Sequence, residues 1–102
     1  MSYSTALRVP ASHPSLAGHF PGRPIAPGVV LLDAVLRSAE AWLGRAISVS
    51  TLAHAKFTAP LLPEENAQLQ LTLSGDELKF TITRADAPIA QGAFRLDQGA
   101  AA

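Results

Sequence analysis

Residues 18–28 (GHFPGRPIAPG) contain three prolines and three glycines, a density that neither a helix nor an ordinary strand tolerates. Proline removes a backbone donor and fixes φ, and glycine admits dihedral angles that other residues avoid. The segment therefore reads as a rigid, shaped loop. Directly after it the sequence turns apolar, Val29-Val30-Leu31-Leu32-Asp33-Ala34-Val35. Pro27-Gly28 stands where a helix would begin, because proline pre-sets the backbone angle of a first turn. A stiff loop carrying His19 thus feeds the N-terminus of a buried helix carrying Asp33.

That helix is expected from about Gly28 to Leu43, with Gly44 in the C-cap position. Leu32, Val35, Leu36, Ala39 and Leu43 form an apolar stripe at the helical period, with Trp42 beside it as a large anchor. Asp33, Arg37 and Glu40 share the opposite side. Two readings of Asp33 stay open on this geometry. One is an i to i+4 ion pair with Arg37 on a wet face, worth a few tenths of a kcal/mol. The other is chemical, since Val29 and Val30 lie one turn earlier and make that end of the helix apolar almost all round. A helix N-terminus offers unpaired N–H groups and partial positive charge to an oxygen that gains negative charge. Histidine moves protons near neutral pH, and a carboxyl on an apolar helix can serve as its acid partner.

A chain of 102 residues is read as one domain, residues 1–102, near the lower size at which a single core suffices, so a partner subunit would add useful burial. The formal net charge is zero, and the eight basic residues are scattered singly, which argues against a nucleic-acid binder. The absence of cysteine excludes disulfides and thiolate metal sites. No signal-peptide pattern opens the chain and no apolar run is long enough to span a bilayer, so a cytoplasmic protein is expected.

Around the helix the sequence predicts strands. Residues 5–9 alternate as a short first strand stopped by Pro10. Residues 47–55 are β-branched and alternating. In residues 67–74, Leu69, Leu71 and Leu73 face one way and Gln68, Gln70 and Thr72 the other. Gly75-Asp76-Glu77 forms a hairpin turn, residues 78–84 return with Leu78, Phe80 and Ile82 inward, Asp86-Ala87-Pro88 turn again, and residues 89–96 make the last strand. The pattern predicts an α+β fold: one helix after a first strand, then a meander of four antiparallel strands with an apolar face for the helix to cover. Residues 97–102 are expected to fray. His13, ahead of Pro14, reads as a solvated or capping loop residue, and His54 as a packed or hydrogen-bonded structural histidine.

The run His19-Phe20-Pro21-Gly22-Arg23-Pro24-Ile25-Ala26-Pro27-Gly28-Val29 resembles the signature loop of the 3-hydroxyacyl-[acyl-carrier-protein] dehydratases. In that family the loop histidine is followed fourteen residues later by a Glu or Asp on the central helix, and the fourteenth residue after His19 is Asp33. The resemblance is close over about residues 17–36 and looser to about residue 63, where Lys56-Phe57 meets a proline-rich corner. Four residues after the acid this chain has Arg37 where the family usually has Gln.

The resemblance implies a hotdog fold, an antiparallel sheet wrapped around one long central helix, and a homodimer or higher oligomer of dimers with its active site between subunits. It implies dehydration of a 3-hydroxyacyl thioester on acyl carrier protein to the trans-2-enoyl thioester, in fatty acid, aryl polyene or related pigment biosynthesis, without metal or redox cofactor. His19 would take the α-proton and Asp33 of the partner subunit would hold or protonate the departing hydroxyl. The Gly28 N–H would bind the thioester carbonyl, with Val29, Phe20 and Pro27 beside the substrate, and Arg23 and Lys56 would meet the acidic carrier. Two alternatives remain: a hotdog acyl thioesterase, and an inactive hotdog subunit that binds the carrier or a partner enzyme.

Overall fold

The computed structural model describes residues 1–9, 28–62 and 64–97. In chain order the elements are β1 (Ser2–Leu7), α1 (Gly28–Leu43), β2 (Val49–Phe57), β3 (Ala67–Ser74), β4 (Glu77–Arg84) and β5 (Ala87–Leu96). All strand pairs are antiparallel, and the sheet order is β1-β3-β4-β5-β2.

The helix ends where glycine permits it to end. Gly44 takes φ +71° and donates its N–H to the Glu40 carbonyl at 2.8 Å, the left-handed cap that satisfies one of the last orphan carbonyls. The buried stripe, however, is Leu31, Val35 and Ala39 together with Val30. Leu32, Leu36 and Trp42 are only partly buried against the core, so the helix is turned from the expected orientation. Glu40 also departs from the expected outer face. Its carboxylate reaches forward to accept the Ile47 N–H at 3.0 Å, tying the helix end to the segment that enters β2.

Alternation decides which sheet face meets α1. Leu69 and Leu71 of β3, Leu78, Phe80 and Ile82 of β4, and Ala90 and Phe94 of β5 are buried in one cluster with the helix stripe, whereas Gln68, Gln70 and Thr72 are exposed. Phe80 and Phe94 pack with ring centroids 5.6 Å apart. Fully burying each such side chain contributes about 1.5–3 kcal/mol. The Phe80 ring needs the bare backbone of its cross-strand partner Gly92: a β-carbon there would lie 2.8 Å from the ring and would also strike the His54 carbonyl oxygen.

Three sequence expectations need correction. Only β3, β4 and β5 form a meander; β2 lies beyond β5 at one edge and β1 beyond β3 at the other. The link after β2 contains Pro60 and Pro63, which cannot make a tight hairpin with β3, so the chain crosses the end of the sheet instead. Strand β1 spans Ser2–Leu7 rather than residues 5–9, because its partners on β3 begin at Thr72 and end at Ala67. The second turn is Ala85-Asp86, with φ +50° and +66°. Pro88 lies inside β5 beside a register shift opposite Thr83, one of the places a strand accepts proline.

Candidate active site

Gly28 opens α1 and no acidic residue sits in the helix's first turn, so the N–H groups of that turn face no carboxylate of their own helix. Phe57, the last residue of β2, lies against this end. A β-carbon on Gly28 would stand 3.0 Å from the Phe57 ring, and the ring remains 45% exposed. Sequence reasoning noticed Phe57 but gave it no role. The signal was the side-chain alternation of β2, which turns Phe57 to the helix face and Lys56 to the outer face of the sheet.

Asp33 is five residues on from Gly28, about 7.5 Å along the axis. Its side chain is 58% exposed and its Oδ1 lies 3.5 Å from Nε of Arg37, itself 74% exposed. Within one chain the wet-face ion pair is therefore present. It leaves the carboxylate on the surface, where a second molecule can reach it.

Lys56 is exposed and its strand position pairs with Gln91. His54 is exposed as well, which overturns the packed one of the two structural roles expected for it. It borders a hollow of about 210 Å³ on the sheet with Lys79, Thr81 and Gln91. A second hollow, about 380 Å³, is lined by Asn66, Gln68, Thr83 and Asp86 among others. Neither is lined by Gly28, Phe57 or Asp33. His19, Phe20, Arg23 and Pro27, the side chain of Val29, and His13 lie outside the described residues, as do residues 98–102 of the tail. Among the described residues no group of three or more His, Cys, Asp or Glu side chains could hold a metal ion, and no helix is long and apolar enough to cross a membrane.

The link between β2 and β3 ties this region to the rest of the sheet. Thr58 N–H donates to the Ile89 carbonyl at 2.9 Å and its hydroxyl to the Pro88 carbonyl at 3.0 Å. Leu61 plugs the core with no exposed surface. The Leu62 N–H donates to the Glu65 carboxylate at 3.0 Å, and Nη1 of Arg84 donates to the same oxygen at 2.7 Å. The Leu62 bond first, then the Arg84 hydrogen bond and charge, hold the Glu65 carboxyl below its ordinary value, against an opposing effect of burial.

Comparison with known proteins agrees with the resemblance of the loop. The family model described as ApeI-like, ApeI dehydratase, matches residues 1–93. The 3-hydroxyacyl-[acyl-carrier-protein] dehydratase FabZ of Sinorhizobium fredii is 31% identical over 71 residues, 63% of this chain and 46% of that protein. Among solved structures, the dehydratase heterocomplex ApeI:P from Xenorhabdus doucetiae superposes with TM-score 0.83 at 27% identity, covering 93% of this chain and 86% of the other. An uncharacterized protein from Erwinia carotovora subsp. atroseptica superposes with TM-score 0.75 at 26% identity, covering 94% and 82%. The chain spans about half the length of the curated relatives it matches. Its five-stranded antiparallel sheet around one helix is the hotdog fold.

Proposed function

The chain belongs to the ApeI-like dehydratase family, and from that membership we propose that it removes water from a 3-hydroxyacyl thioester carried on acyl carrier protein. The observation that carries the reading is the pairing of His19 with Asp33 fourteen residues later, on either side of a helix N-terminus at Gly28.

In the proposed reaction His19 takes the proton from C2 of the acyl chain. The electron pair forms the C2–C3 double bond, and the C3 hydroxyl leaves as water with a proton from Asp33 of the partner subunit. The product is the trans-2-enoyl thioester. As C2 loses its proton, charge builds on the thioester oxygen, and the Gly28 N–H is set to receive it. Positioned proton transfer is worth about 10²–10⁴ in rate, and one oxyanion donor roughly 3 kcal/mol. Val29, Phe20 and Pro27 would border the acyl chain, and Arg23 and Lys56 would meet the acidic carrier. The pathway assigned is fatty acid, aryl polyene or related pigment synthesis, in the cytoplasm.

A second copy is needed to complete this site, and β2 is the edge proposed for it. That strand pairs with β5 on one side, has no partner among the described residues on its other side, and exposes Leu52 at 41% and Phe57 at 45%. A long edge strand with exposed apolar side chains and no proline is normally covered. Antiparallel addition of a second β2 would cover it and bring the partner's helix toward this chain's helix N-terminus.

One observation favours a second reading, a subunit that binds carrier or partner enzyme without turnover: Asp33 is engaged by Arg37 on an exposed face, as a purely structural residue would be. Incubation with a carrier-bound 3-hydroxyacyl thioester, followed by enoyl absorbance and by free-thiol release, separates the readings. Enoyl formation supports the dehydratase. Thiol release without it selects a thioesterase, and neither product from an intact dimer selects the binding subunit.

A further inference from the structure

We propose that Arg84 is a positioning residue for this reaction, acting through the link between β2 and β3 on Val9, the described residue ahead of the His19 segment. The proposal rests on the dehydratase reading given above. Nη1 of Arg84 donates to the Pro60 carbonyl at 2.8 Å and to Glu65 Oε1 at 2.7 Å, and that same oxygen accepts the Leu62 N–H. One guanidinium thus ties Pro60 to the hydrogen-bonded Leu62 and Glu65 as a clamp around the buried Leu61. Of the ion pairs between two described residues, that of Arg84 with Glu65 is the shortest, and both partners are only 31% exposed.

The clamp lies between two points that matter. At its β2 end the link continues from Phe57, whose ring covers Gly28. At its other end Glu64 is held at φ +67°, a left-handed conformation that a non-glycine residue keeps only where its surroundings impose it. In that conformation Glu64 donates its N–H to the Val9 carbonyl at 2.8 Å, and its carboxylate lies 3.7 Å from Arg8. Residues 10–27, His19 among them, run in sequence from Val9 to Gly28. The link therefore holds Val9, the described residue ahead of that segment, through Glu64, while Gly28 is met by Phe57 of β2, and Arg84 fixes the shape of the link. Misplacement of reacting groups by about 1 Å, caused at a distance, costs up to about a hundredfold in rate.

The test compares steady-state dehydration of a carrier-bound 3-hydroxyacyl thioester by the wild-type dimer, Arg84→Ala, Arg84→Lys, Glu65→Gln, the Arg84→Ala/Glu65→Gln double variant and Arg95→Ala. The last removes an ion pair with Asp76 at the other end of β4 and serves as control. Arg84→Ala is expected to lower kcat roughly ten- to hundredfold with little change in KM, while circular dichroism at the assay temperature stays that of the wild type. Arg84→Lys should recover part of the loss, since an ammonium keeps the charge and the donors that Nη1 gives to both acceptors but presents them on a different stem, and the double variant should lose no more than Arg84→Ala alone. A melting temperature lowered with kcat unchanged, or an equal loss of kcat in Arg95→Ala, overturns the proposal.

Amide exchange at Glu64 supplies a readout that needs no turnover. Opening of the clamp in Arg84→Ala should speed it at least tenfold at fixed pH. Unchanged exchange overturns the clamp whatever the activity. An inert wild type whose Glu64 exchange responds as expected refutes the dehydratase reading, and leaves the hold of Arg84 on Val9 standing.

Discussion

Asp33 and Arg37 face each other across one helical turn at 3.5 Å, both more than half exposed. Such a pair contributes only a few tenths of a kcal/mol, so the single chain gains little stability from it. Asp33→Asn and Arg37→Gln are each expected to change the unfolding free energy by less than about 0.5 kcal/mol. If Asp33 is the proton donor, Asp33→Asn should nonetheless lower kcat by about 10²–10⁴. Urea unfolding and enoyl absorbance on the same samples check both halves. Wild-type kcat in Asp33→Asn would return the residue to its surface role.

Gly92 is a packing requirement rather than a flexible point. Gly92→Ala places a methyl group against the His54 carbonyl oxygen and 2.8 Å from the Phe80 ring, and the backbone side of that clash cannot rotate away. A loss of roughly 1–3 kcal/mol is expected, read as a lower urea midpoint. Gly28→Ala meets only the outer part of the half-exposed Phe57 ring, and should be milder in the same experiment.

Glu65 sets an acid limit on the clamp. Its carboxyl titrates below its ordinary value of 4.5, so the folded state binds that proton less readily than the unfolded chain. The stability it contributes is complete above about pH 4.5 and is lost as pH falls through the lowered folded value. The stability difference between wild type and Glu65→Gln, measured by urea unfolding, should be constant from neutral pH down to that point and shrink below it. A difference that grows on acidification would contradict this assignment.

Much of the fold was legible because its signals are local. The ends of α1 follow from Pro27-Gly28 and Gly44, and β3 and β4 from the alternation of leucines with glutamines and threonines. Where the sequence misled, the deciding contact was distant. The place of β2 beside β5 depends on a link that crosses the sheet, and the inward turn of Glu40 depends on the Ile47 N–H. Phe57 reaches Gly28 only once the sheet has curled around the helix, so alternation along β2 could give its face but not its partner. The candidate site was legible only as a proposal of chemistry, a histidine and a carboxylate at a fixed interval around a helix start. Its geometry was not, because the carboxylate points outward from its own chain and the proposed partner for it is another molecule.

That arrangement is open to one direct measurement. His19→Ala and Asp33→Asn protomers, each inactive as a homodimer, are unfolded together, refolded as a mixture and assayed for enoyl formation on a carrier-bound 3-hydroxyacyl thioester. A site built from His19 of one subunit and Asp33 of its partner is restored once in every mixed dimer, so activity should return. If the mixture stays as inactive as the two variants alone while mixed dimers form, the two residues do not meet across the interface and the proposed mechanism is wrong.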